Sequence, residues 1–215
     1  MSTSPLSITS EQINSLPLLF GILKDMGVAK SLDAHIKPHG HWQGASVGTL
    51  VTVWLCQILQ ERDHRLVSVR QWANERAQTL ESLLATPLRD TDCTDDRLAN
   101  VLSMLGNPEV QAQLDRALVS GWVQTYTLPT ERVRLDSTSV SVYHDTDDPH
   151  SLLKNGHSKD HRPDLLQFKA MLASLDPLGM PLCAQMVAGN RADDQLYVPA
   201  YEVAVLVVHQ GSLLT

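Results

Sequence analysis

The sequence predicts an α+β protein: an all-helical N-terminal domain over residues 1–128, then a second part over 129–215 with three antiparallel-type strands and one helix. Three observations carry this. Between Val47 and Trp122 apolar residues recur at three-and-four spacing, the period of a helix with one buried face. From Glu131 onward the period drops towards two and β-branched residues gather. Between the two regimes stands Leu128-Pro129-Thr130, a natural joint.

In chain order, Leu16 to Val28 is apolar but punctuated by Pro17, Gly21 and Gly27, which predicts a short helix over 18–26. Ser31 to Gly44 reads as a loop. Its His35, His39 and His41 stand beside Pro and Gly without a Cys or carboxylate at ligand spacing, so solvated side chains explain them better than a metal. Val47, Leu50, Val51, Trp54, Leu55, Ile58 and Leu59 then form the strongest helical face in the chain, with Ser46 as N-cap. Glu61-Arg-Asp-His-Arg65 ends it as a charged, solvated helix terminus. A second long helix is expected over 68–84, its Trp72 in phase with aliphatic neighbours and therefore a core residue rather than a stacking platform. Thr94 is placed to cap a helix with Leu98, Val101, Leu102 and Leu105 inward, and Gly106 to stop it. Pro108 opens the last helix of this half, with Val110, Leu114, Leu118 and Trp122 on its buried side.

Composition narrows the function classes. A chain of 215 residues with 43% hydrophobic and 19% charged residues has the make-up of a folded globular protein rather than a disordered one. No apolar run reaches the roughly 20 residues a membrane span needs, and the N-terminus lacks the basic start and apolar core of a signal peptide, so a cytoplasmic protein is expected. Cys56, Cys93 and Cys183 are far apart and odd in number, which argues for reduced thiols. The formal charge of −7 argues against a protein that grips phosphate backbones, which normally shows a basic face. Splitting the chain does not alter this: 13 acids face 10 bases through residue 128, and 11 face 7 after it.

The second part is organised around Glu131 to Tyr143. Val133, Leu135, Val140 and Val142 give it strand character, and Asp136 puts a carboxylate where strands rarely hold one. Val133 and Leu135 share one parity and Val140 and Val142 the other, so the strand is expected to bulge or end near Asp136. After a polar loop carrying Asp145, Asp147 and Asp148, residues 166–175 and 180–187 read as two strands joined by the turn Asp176-Pro177-Leu178-Gly179. Asp193 and Asp194 are placed to cap a helix through Leu196, Val203, Ala204 and Val207. Gly211 to Thr215 reads as the start of a further strand. This order, with an acid on the first strand, resembles the beginning of the ribonuclease H-like fold.

Four runs sharpen that likeness. Leu135-Asp-Ser-Thr-Ser139, Gly156-His-Ser-Lys-Asp-His-Arg-Pro-Asp-Leu165, Leu175-Asp-Pro-Leu-Gly-Met-Pro181 and Gly189-Asn-Arg-Ala-Asp-Asp-Gln-Leu-Tyr-Val-Pro-Ala200 resemble a bacterial insertion-sequence transposase of the DDE type, in the insertion-sequence-four group. Gly40-His-Trp-Gln-Gly44 and Asp63-His-Arg-Leu66 resemble the helical domain of unknown function that precedes the catalytic core there. The resemblance implies phosphoryl transfer on DNA by three carboxylates holding two Mg²⁺ or Mn²⁺ ions, with Asp136 as the first, catalytic and metal-binding acid. The second acid, in a Gly-Asp, and the third, in a Tyr-Arg-Glu-Lys pattern, are not found in this sequence, so a C-terminally truncated chain, inactive alone in strand cleavage, is expected. Lys159 and Arg162 are the candidate contacts to DNA phosphate; an ion-paired hairpin is the competing account. The partners implied are the DNA ends of the element, a second copy of the chain, or an intact transposase. The alternatives are a non-enzymatic binder of DNA ends or of transposase, and an inactive remnant.

Overall fold

The three-and-four apolar spacing becomes a set of helices in the computed structural model, which describes residues 8, 10–143, 145–157 and 162–212, the last four as backbone alone. Helix α1 spans Leu16–Asp25, starting two residues before the expected 18–26 because Pro17 occupies its first turn, where no N–H is needed. Gly27 then takes φ 69°, a left-handed conformation open to glycine, and the chain re-enters a helix at once. Helix α2, Val28–His35, therefore replaces the first part of the expected loop: Val28 and Leu32 are one turn apart and both buried. Proline and glycine further along had masked this short apolar spacing.

Helix α3, Val47–Glu61, forms as predicted, and the Ser46 hydroxyl accepts a 3.2 Å hydrogen bond from the Thr49 N–H. A second cap comes from α2. The Asp33 carboxylate accepts from the Ser46 hydroxyl and from the Gly48 N–H, both at 2.7 Å, placing negative charge at the positive end of α3. This pairing needs the close approach that Gly48 permits, since a Cβ there would overlap the Ala29 carbonyl. Helices α1, α2, α4 and α6 all touch α3. Its Leu50 and Val53 are fully buried, each contributing about 2 kcal/mol of burial free energy.

The single helix expected over 68–84 is two: α4, Leu66–Asn74, and α5, Ala77–Leu84. A distant acid accounts for the restart. The Glu11 carboxylate accepts from the Gln78 N–H at 2.8 Å, the Thr79 N–H at 2.9 Å and the Thr79 hydroxyl at 2.6 Å, satisfying the unpaired donors of a new helix end. Helix α6 is Asp95–Leu105, and Thr94 stands at its N-cap position, with its hydroxyl donating to the Thr91 carbonyl at 3.3 Å instead of capping the helix. Helix α7, Pro108–Tyr126, is capped by Asn107, whose Oδ1 accepts from the Glu109 N–H at 2.9 Å.

The chain divides into two compact units, one through Leu114 and the other from Asp115, inside α7 rather than at the expected joint near 128. Val119 and Val123 explain the position, because they are buried in the core of the second unit.

That unit holds strands β1, Val133–Val142, β2, Leu166–Leu175, and β3, Met180–Ala188, in the order β1-β2-β3 with both pairings antiparallel. The α+β class is as expected. Strand β1 neither bulges nor ends at Asp136: it pairs with β2 in unbroken register from Val133↔Leu175 through Asp136↔Leu172 to Val142↔Leu166. The change of apolar parity arises because Val140 simply lies on the outer face, 39% exposed. The irregularity falls between β2 and β3 at Ala173/Ser174, where Leu182 is inserted and both it and Cys183 turn into the core. Helix α8, Asp194–Ser212, covers one face of the sheet with Leu196, Ala200, Ala204, Val207 and Val208. Gly211 and Ser212 belong to this helix rather than to a strand; the strand expected at Leu213 and Leu214 lies outside the described residues.

Candidate functional site

Strand geometry decides where Asp136 points. Successive side chains alternate across a sheet, and in β1 the odd-numbered Leu135, Ser137 and Ser139 turn towards the covered face, with Ser137 only 2% exposed. Arg134, Asp136, Thr138 and Val140 lie on the other, open face, where no helix packs among the described residues. Asp136 stands opposite Leu172, itself 43% exposed. It is thus an exposed carboxylate in the middle of a strand, on a face that carries apolar Val140, Leu172 and Met186 beside polar Arg134 and Thr138. Strand β1 is also at the edge of the sheet, with one side unpaired among the described residues. Its neighbour Arg134 reaches away, to Asp176 at 2.6 Å.

In the second sequence-marked cluster the described residues form a local ion pair. Arg162 presents its Nε and Nη2 to the two Asp164 oxygens at 2.9 and 2.7 Å, a bidentate fork that raises the guanidinium pKa and lowers that of the carboxyl. Asp164 thus takes two of the five Arg162 N–H donors and partly offsets its charge before any phosphate approaches. Lys159, the other candidate contact, lies outside the described residues, as does His161. Asp145, Asp147 and Asp148 are exposed, and Asp148 accepts from the His150 N–H at 2.9 Å, a turn contact that agrees with a solvated loop. Among the described residues no group of three His, Cys, Asp or Glu side chains could hold a metal ion.

The glycines of the marked runs have a clear role. Lys154 and Gln167 exchange backbone hydrogen bonds at 3.0 and 3.1 Å, and the Gly189 N–H donates to the Leu152 carbonyl at 3.1 Å. This seats residues 152–156 across the ends of β2 and β3. A Cβ on Gly156 would overlap the Gly189 carbonyl, and one on Gly189 would overlap that of Gln167.

A polar pair on the covered face was not anticipated. Lys169 is only 5% exposed and donates through Nζ to Asp193 Oδ1 at 2.5 Å, so Asp193 does more than precede a helix. A parity signal existed: Gln167 and Lys169 are in phase with Met171, Ala173 and Leu175, all buried. The cysteines are inert fillers. Burial pushes the thiols of Cys56 and Cys93 up to about 12 and that of Cys183 to about 11, holding them protonated.

In the first unit the Gly40–Gly44 run is fastened by a buried acid that sequence reading had passed over. Asp92, 1% exposed, accepts from the Ala45 N–H at 3.2 Å and the Arg89 N–H at 2.9 Å and pairs with Arg97 at 3.4 Å. Arg97 lies 4.0 Å above the Trp42 ring, and the Trp42 Nε1–H donates to the Ala45 carbonyl at 2.9 Å.

Fold and site together define a two-unit α+β protein: a helical unit built on α3, and an antiparallel sheet with an exposed strand-borne acid. The chain belongs to the family described as a domain of unknown function, DUF4277, whose model matches residues 8–116. No curated protein and no solved structure matches it. No helix among the described residues is long and apolar enough to cross a membrane.

Proposed function

We propose that the second unit has the strand order of an RNase H-like core and that the chain acts, in the cytoplasm, in the DNA transposition of an insertion sequence, binding at the element's ends. On this reading Asp136 is the first acid of a DDE set that cleaves and joins DNA. One observation carries it: an exposed carboxylate midway along an edge strand, on the open face of a three-stranded antiparallel sheet whose other face is covered by α8. An unpaired edge offers the backbone groups that a further strand, bearing the second acid, would pair with. Asp136 alone supplies too few oxygens to hold a divalent ion tightly, because Mg²⁺ demands a near-octahedral set and no further acid gathers here among the described residues, so this chain binds such an ion only weakly. Other residues must complete such a site.

A second reading, a non-enzymatic partner of an intact transposase, is favoured by charge. The chain carries −7, and the described candidate phosphate contact, Arg162, is already forked onto Asp164. Two measurements separate the readings. Mn²⁺ added to isotope-labelled protein should broaden amide signals of residues 135–137 and 172, and Asp136→Asn should abolish this; broadening centred on 145–148 instead would sink the metal role. Gel shifts with element-end DNA at low salt should show binding that fades as salt rises. Absence of any shift, together with co-purification with an intact transposase, would establish the second reading.

A further inference from the structure

A pocket of about 330 Å³ opens on the first unit, bordered by α1, α2, α3 and the end of α5. Its walls are mainly hydrocarbon: Phe20 from α1, Ala29 from α2, and Leu83 and Leu84 from α5. The two hydroxyls that border it are engaged inside the protein. Thr52 Oγ1 donates to the Gly48 carbonyl at 2.8 Å, and Thr49 Oγ1 lies 3.0 Å from the Ser46 hydroxyl. The charged side chains on its border are Lys24 and Lys30, both exposed, with no acid among the lining residues. Neither ammonium has a hydrogen bond or an ion pair among the described residues. Asp33, one turn after Lys30, is committed to Ser46 and Gly48. Helix ends do not set the sign of the field here. The first turns of α2 and α3 border the pocket, as do the last turns of α1 and α5, so their partial charges oppose one another. The two lysines decide it: the pocket is apolar within and positive at its border.

We propose that this pocket binds a small amphipathic anion, a hydrophobic carboxylic acid whose hydrocarbon body enters the pocket and whose carboxylate meets Lys24 and Lys30. Access is open: both lysines are exposed, and Ala29, Leu83 and Leu84 are only half-buried. Volume limits the body. Ligand pockets run from roughly 300 to 1,000 Å³, so this one takes a short chain or a single ring. Wall chemistry disfavours a nucleotide, because a base edge needs hydrogen-bonding partners that hydrocarbon and engaged hydroxyls do not give, and burying it unmatched is costly. An inorganic anion would leave the apolar wall unused, and a neutral hydrocarbon would leave the lysines unused. A molecule with both parts meets both features: apolar burial supplies affinity, while the ammonium groups fix its direction and select its sign. The pocket lies within the first unit, so this assignment is independent of the role of Asp136 in the second.

The test is an NMR titration of the isotope-labelled chain with hexanoate, octanoate, octanol, octylamine and acetate, each kept below its micelle concentration. Octanoate should give saturable shifts at the amides of Gly27, Ala29, Thr49 and Leu84. Each CH₂ added between hexanoate and octanoate should tighten binding about fourfold. Octanol should bind about fivefold more weakly than octanoate, octylamine more weakly still, and acetate should give no saturable shift. Lys24→Gln combined with Lys30→Gln should cost octanoate about the same fivefold while leaving octanol binding and the melting temperature unchanged, because both side chains are exposed and unpaired among the described residues. Octanol binding as tightly as octanoate, an equal loss of both in the double variant, shifts confined to other residues, or no saturable shift with octanoate would overturn the assignment.

Discussion

Asp92 offers the sharpest test of how the helical unit is held. Asp92→Asn keeps the shape of the side chain but leaves one acceptor oxygen where there were two. In the structure Oδ1 serves the Ala45 N–H and Arg97 while Oδ2 serves the Arg89 N–H. An amide can satisfy only one of these sides, so at least one N–H beside a side chain 1% exposed loses its acceptor, at about 1–3 kcal/mol. The charge on Asp92 also vanishes beside Arg97, whose side chain is 18% exposed. Arg97 retains the Gln43 and Ala45 carbonyls and the Trp42 ring, which puts this second loss at the low end, about 1 kcal/mol. The sum is about 3 kcal/mol. Urea unfolding followed by tryptophan fluorescence suits the measurement, since Trp42, Trp54 and Trp72 lie in the first unit and only Trp122 in the second. A fall below about 1 kcal/mol at unchanged slope would refute the argument that Asp92 fastens the loop through its two oxygens.

Three further outcomes follow from the same geometry. Ala85 closes α5 at φ 58°, where an L side chain is strained, so Ala85→Gly should stabilise the first unit by about 0.5–1 kcal/mol, read as a higher melting temperature. Burial raises the Asp115 carboxyl above its ordinary value of 3.8, so the folded state favours the protonated form. Its contribution is therefore full below that value and is lost as pH rises through the raised one; Asp115→Asn should melt higher than the parent at neutral pH, with the gap closing towards about pH 4. Finally, thiol reagents at mildly alkaline pH should label Cys56, Cys93 and Cys183 only as fast as the protein opens, because all three are buried and their thiols protonated. Immediate labelling of any one would show that its site is open.

Local spacing was enough to read α3, its Ser46 cap, the Asn107-Pro108 opening of α7, the three strands and the Asp176–Gly179 turn. In each case the signal lies within a few residues, where side-chain period and cap chemistry act directly. The misplaced boundaries share another cause. Helix α5 begins at Ala77 because Glu11 caps it, and an acid so distant leaves no mark in a sequence window around residue 77. The division of the chain at Asp115 depends on Val119 and Val123 joining the sheet core, although they continue a helix begun at Pro108.

For the candidate site, the sequence by itself determined that an acid sits inside a strand and that three strands and a helix follow in this order. It determined the glycine runs too, but not what they touch. Only the tertiary structure decided that β1 runs unbroken through Asp136, that this carboxylate shares an exposed face with Leu172, and that Lys169 is buried against Asp193. The physical reason is that period and capping are properties of neighbouring residues, whereas exposure and partnership depend on which distant segment fills the space beside a side chain.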